Sequence, residues 1–173
     1  MRKILIVVDM QKDFIDGSLG TKEAQEIVPA VVKKIQSYPV SDIYVTKDTH
    51  GENYLETSEG KHLPVVHCIK GTEGWELDER VEVVTKGAVV VEKPTFGSIE
   101  LMELLKTENE KESLEIELVG LCTDICVVSN ALLLKAAMPE NRICVDASCC
   151  AGVTPQSHEA ALTTMGMCQI EVV

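Results

Sequence analysis

Aromatic residues are nearly missing from this chain: two Phe, one Trp and three Tyr occur among 173 residues. Its core must therefore be aliphatic, built from Val, Ile, Leu, Ala and Met. Basic residues are also scarce, with 16 Lys and Arg against 28 Asp and Glu, and the net charge is −12. An acidic surface repels phosphate backbones and anionic lipid, so neither nucleic acid nor a membrane surface is expected as a partner. No apolar run approaches the ~20 residues that span a bilayer. Met1-Arg2-Lys3 leads straight into the apolar stretch 4–8, which is too short for the apolar part of a secretory leader. Repeats, low-complexity tracts and linkers are absent. A length of 173 residues suits one domain, 1–173, with a sizeable core. Only 106–113, KTENEKES, is strongly charged, and it reads as a solvated loop.

Cysteine is present in odd number, at 68, 122, 126, 144, 149, 150 and 168, several of them in apolar runs. That usage suggests free thiols in a reducing cytoplasm. Short Val- and Ile-rich runs at 4–9, 43–47, 88–92, 115–120, 142–147 and 169–172 read as buried strands. Between them 22–37, 98–105, 124–137 and 155–165 read as helices, the last opened by a Thr154 cap and Pro155. Alternating strands and helices predict a three-layer α/β/α fold around a mostly parallel six-stranded sheet. In such folds the chemistry gathers at the carboxyl ends of the strands.

Three residues stand at those ends. Asp9 closes the first strand, Lys93 closes the third, and Cys126 follows the fourth within GLCTDICVVSNALLLKAA. A thiol at the start of a helix is placed for nucleophilic attack, because the helix terminus favours thiolate and its free N–H groups can hold an oxyanion. A carboxylate can move the thiol proton, and an ammonium can stabilise both anions. A second group follows the second strand: Asp48 and His50, then Glu56, Glu59, His62 and His67. Carboxylates and imidazoles in this order offer ligands for a divalent metal. Asp124 reads as a helix cap, His158 as an exposed helical side chain, and Cys149 and Cys150 as small buried residues.

With these motifs, VVDMQKDF, EKPTFGS and GLCTDICV, the chain resembles the isochorismatase-like cysteine hydrolases along nearly its whole length, and within them the nicotinamidase and pyrazinamidase branch. The resemblance implies a catalytic triad of Asp9, Lys93 and Cys126. It implies a cis peptide at Leu121–Cys122 and an oxyanion site formed by the N–H groups of Cys122 and Cys126. It implies a metal held by Asp48, His50, His67 and one further ligand, Glu59 in preference to Glu56 with His62 as a third candidate, with zinc expected and manganese or iron as alternatives. No organic cofactor is expected. Phe14 is implied to flank a small amide substrate, with Leu121 as a further contact, and Phe96 and Trp75 are candidates for added apolar surface or for packing against the scaffold. One departure is visible: the family's second ring-stacking aromatic, three residues before the last His, is Pro64 here. The activity implied is hydrolysis of a primary amide, nicotinamide foremost, in a cytoplasmic homo-oligomer. The alternatives are a relative acting on an N-carbamoyl compound or ureide, and a non-catalytic member of the fold.

Overall fold

A computed structural model describes residues 1–173. The strands are β1 (Arg2–Val8), β2 (Ile43–Asp48), β3 (Val89–Lys93), β4 (Leu114–Leu121), β5 (Ile143–Ala151) and β6 (Glu171–Val172). The helices are α1 (Lys12–Ile15), α2 (Lys22–Ile35), α3 (Ser58–His62), α4 (Glu79–Thr85), α5 (Ile99–Lys111), α6 (Val128–Ala137) and α7 (Pro155–Met167). The sheet runs in the order β3-β2-β1-β4-β5-β6, and every neighbouring pair is parallel.

The period-two pattern of the central strands divides two cores. From β1, Ile4, Ile6 and Val8 join Leu101 and Leu105 of α5, Ala131 and Leu134 of α6, and Leu162 and Met165 of α7. Leu5 and Val7 face the other way, against Val28, Val31 and Ile35 of α2 and Val81 of α4. The three layers follow from this alternation. Each fully buried Val, Leu or Ile adds about 1.5–3 kcal/mol of hydrophobic stabilisation before the entropy of ordering is subtracted. Gly120 is required where β4 meets β1, because its φ is +118° and a Cβ there would lie 2.2 Å from Val8 O.

The expected strands and helices are present, with shifted boundaries. Helix α5 continues to Lys111, so most of 106–113 is a solvated helical surface rather than a loop. Glu and Lys are good helix formers, and the segment needs no buried face to remain helical once α5 is anchored. Strand β5 runs on to Ala151 through a register shift against β4. The segment after β4 begins as a π turn, Thr123–Val127, before α6. The short helices α1, α3 and α4 carry too few turns to give a periodic signal.

The capping signal at Thr154 holds. Thr154 and Ser157 form a capping box with Pro155 in the first turn of α7, and Thr21 caps α2 through the Ala24 N–H. The chain runs β1, β2, β3 toward one edge and returns to β4 beside β1. That reversal creates a crevice at the carboxyl ends, between the loops that follow β1 and β4.

Candidate functional site

Asp9, Lys93 and Cys126 meet in this crevice. Asp9 leaves β1 with φ at +47°, a conformation that Asp tolerates better than most residues. Its Oδ1 accepts from Thr46 Oγ1 at 2.6 Å, and its Oδ2 lies 2.6 Å from Lys93 Nζ. Both side chains are fully buried. The Oδ2 atom has no hydrogen-bond partner apart from this ion pair. Lys93 Nζ also donates to Cys126 Sγ at 3.4 Å and to Thr95 O at 3.1 Å. Asn130 fixes the turn that carries the thiol, donating to Cys126 O at 2.8 Å and to Phe96 O at 3.0 Å.

Burial and the neighbouring Asp9 carboxylate push the Cys126 thiol well above its ordinary range, against the pull of Lys93. Burial in the core thus opposes the thiolate that a helix terminus would favour. The residue sits in the fourth position of a π turn inside the core, where loss of hydration outweighs the terminal dipole. Burial likewise raises Asp9, opposed by Lys93. Burial disfavours the Lys93 ammonium, but Asp9, Cys126 and Asp48 more than restore it and raise the group above its usual value. Burial disfavours the charged form of both the carboxylate and the thiol, and Lys93 opposes this for each.

The peptide Leu121–Cys122 is cis. The Cys122 N–H donates to no group in the chain. Cys122 itself is half-buried, and burial raises its thiol to about 12.

Asp48, His50, Glu59 and His67 form the second cluster, with one ligand atom from each within 4.8 Å of all the others. Asp48 ends β2 and His50 follows it. Asp48 Oδ2 lies 2.9 Å from His50 Nε2 and 3.5 Å from His67 Nε2. Glu59 Oε1 lies 3.7 Å and 3.6 Å from the same two nitrogens. His67 Nδ1 faces the Val65 carbonyl at 2.7 Å. A carbonyl can only accept, so Nδ1 carries the hydrogen and Nε2 presents a lone pair toward the cluster.

Burial works against the Asp48 charge, but His50, His67 and Lys93 hold its carboxyl well below the usual range. Burial and Asp48 raise Glu59. Two imidazoles and two carboxylates, nearly enclosed and converging on one point, fit a divalent cation. Asp48 Oδ1 is also 3.6 Å from Lys93 Nζ, so one carboxylate touches both clusters.

A cavity of about 570 Å³ opens over both clusters. Asp48, Glu59, His67, Cys122 and Cys126 line one end, and Phe14, Leu63 and Phe96 line the walls. Pro64 and Trp75 do not line it. Leu121, expected beside the substrate, points into the core shared with α2 and is absent from the wall. The reason is strand alternation, which sends Leu121 to the face opposite the crevice side of Cys122. Of the open ligand candidates, Glu59 joins the cluster, while Glu56 and His62 are exposed and stand outside it.

Two further residues differ from expectation. Asp124 does not cap the helix that follows: its two oxygens accept from Val153 N–H at 3.1 Å, which ties the π turn to the loop before α7. His158 is half-buried, and its Nδ1 pairs with Thr123 Oγ1 at 2.8 Å. Nothing local in the sequence joins positions 35 residues apart.

The isochorismatase domain family matches residues 3–173 of the chain. A nicotinamidase/pyrazinamidase of Mycobacterium tuberculosis is 26% identical, over 99% of this chain and 98% of its own. Among solved structures, the nicotinamidase/pyrazinamidase of Bacillus subtilis superposes with a TM-score of 0.84 at 27% identity, covering 100% of both chains. The pyrazinamidase of Pyrococcus horikoshii, in complex with zinc, superposes with a TM-score of 0.80 at 26% identity, covering 100% of this chain and 99% of that one.

Proposed function

The chain belongs to the isochorismatase family, and from that premise we propose that it is a cysteine amidohydrolase that converts nicotinamide to nicotinate and ammonia. One observation carries this reading: a buried thiol–ammonium–carboxylate triangle and a four-ligand cluster share one cavity and are joined through Asp48. The relatives named nicotinamidase or pyrazinamidase support the substrate class.

Cys126 Sγ attacks the amide carbonyl carbon as Asp9 takes the thiol proton. The negative oxygen is held by the N–H groups of Cys122 and Cys126. Asp9 then passes the proton to the amide nitrogen, the C–N bond breaks, and ammonia leaves a thioester on Cys126. Water attacks the thioester carbon while Asp9 takes its proton. The C–S bond breaks, the proton returns to Cys126, and nicotinate is released. Lys93 keeps Asp9 charged between steps and compensates the anionic sulfur. Phe14 flanks the ring, with Phe96 and Leu63 supplying apolar surface in place of the aromatic that Pro64 replaces. Asp48, His50, Glu59 and His67 would hold a divalent cation, zinc by ligand type, and it would bind the ring nitrogen and so orient the amide over Cys126. All seven cysteines are unpaired, in keeping with a reducing cytoplasm.

The test is ammonia release from nicotinamide and a small amide panel, with zinc-loaded and chelated protein. Turnover of nicotinamide that falls on chelation and vanishes in Cys126→Ala is expected. Full activity in Cys126→Ala would end the proposal.

A further inference from the structure

The motif at 7–14 holds more buried polar groups than the triad uses. Asp9 belongs to the triad and Phe14 to the cavity wall, whereas Gln11 and Asp13 touch no reacting group. Gln11 is fully buried. Its side-chain amide donates to Asp48 O at 2.8 Å and to Trp75 O at 2.9 Å, and accepts from the Asp48 N–H at 2.7 Å.

The backbone explains why a side chain is needed there. β1 stops pairing with β2 at Val8 and Thr46, and the chain turns away at Asp9. β2 continues to Asp48, which pairs with Lys93 of β3 on its other side. On the β1 side the Asp48 N–H and C=O would be bare and buried, a costly state. The Gln11 amide fills that place with the donor and acceptor that a strand would have offered. It thereby locks the backbone of the residue that touches both clusters.

Asp13 acts on the other ligand loop. Its Oδ2 accepts from the Cys68 N–H at 2.8 Å, one residue past His67. Cys68 is held with φ at +47°, a conformation a cysteine seldom adopts without external support. The 70–75 loop packs directly on the same carboxylate, since a Cβ on Gly74 would lie 2.2 Å from Asp13 Oδ2.

We propose that Gln11 and Asp13 are positioning residues of the cation site: they set Asp48 and His67 in register so that the ligand atoms converge before the ion arrives. This rests on the cation site of the proposed function. Residues that orient ligands in this way typically carry about 10–100-fold of metal affinity.

The experiment titrates metal-depleted full-length protein with Zn²⁺ against a chromophoric chelator, for wild type, Gln11→Leu, Gln11→Glu, Asp13→Ala and Asp13→Asn. Thermal melts of the metal-free proteins and kcat and KM of the zinc-loaded ones accompany it. Zinc binding weaker by about 10–100-fold is expected in Gln11→Leu and Asp13→Ala, with KM rising more than kcat falls. Asp13→Asn, which keeps an acceptor for Cys68, should recover part of the loss, whereas Gln11→Glu, which sets a carboxylate oxygen against the Asp48 and Trp75 carbonyls, should not. Zinc affinity equal to wild type alongside a lowered melting temperature would show a merely structural role and overturn the inference alone. A wild type that takes up no zinc would overturn it together with the cation anchor of the proposed function. Should Gln11→Leu fail to fold, the Asp13→Ala and Asp13→Asn pair decides by the same measure.

Discussion

The Asp9–Lys93 pair should separate stability from activity. Both side chains have 0% exposure and their charged atoms are 2.6 Å apart. Lys93→Met removes the only ammonium beside Asp9 and leaves Asp9 and Asp48 as neighbouring buried carboxylates. An uncompensated buried charge of this kind costs about 3–5 kcal/mol. For a chain of this length that corresponds to a fall of roughly 6–20 °C in melting temperature.

Asp9→Asn leaves Lys93 a second partner, Asp48 Oδ1 at 3.6 Å, so its loss should be smaller. The double variant Asp9→Asn/Lys93→Met is neutral and close in volume to the original pair. It should regain most of the stability, because a buried ion pair is often no better than apolar side chains of its size. No activity should return, since neither general base nor ammonium is restored. The assay is denaturant unfolding of metal-depleted protein together with ammonia release from zinc-loaded protein. A double variant as unstable as Lys93→Met, or a Lys93→Met protein that melts with wild type, would refute the argument that the pair is desolvated.

Glu59→Gln should weaken zinc binding by about 10-fold or more, while Glu56→Gln should leave it unchanged, as chelator competition would show. Asp146 is buried: desolvation opposes its charge, but the Lys34 ion pair at 2.7 Å and Ser148 outweigh this and lower its pKa. A carboxyl lowered by folding adds stability above its unfolded value of about 3.9 and loses it as pH falls through the folded value. Wild type should therefore exceed Asp146→Asn in denaturant unfolding at neutral pH, with the gap closing below roughly pH 4; a gap independent of pH would contradict this. His158→Ala leaves the fully buried Thr123 hydroxyl without its partner, and should cost about 1–3 kcal/mol by the same unfolding assay.

The chain itself carried the strand–helix alternation, the aliphatic core and the cap at Thr154, because these are local patterns of periodicity and hydrogen bonding. It also placed Asp9, Lys93 and Cys126 at the ends of the first, third and fourth strands, and in a parallel sheet all such ends lie on one side. The short helices α1, α3 and α4 were not legible, being set by the loops they brace rather than by their own period. The extension of α5 through 106–113 was hidden for a related reason: a charged helix face and a solvated loop have the same composition.

The tertiary structure alone decided matters that depend on distance. It brought the carboxylate of Glu59, already the favoured fourth ligand, to the two imidazoles and left Glu56 and His62 outside. It set burial against the Cys126 thiolate, because desolvation is a property of the folded surroundings and not of the motif. It turned Leu121 into the core, joined His158 to Thr123, and set the Gln11 amide where β1 had left Asp48 without a neighbour. The sequence determined which chemical groups the strand ends carry. Which of those groups come within a few ångströms of one another, and which keep their water, was decided by the packing of loops separated by tens of residues along the chain.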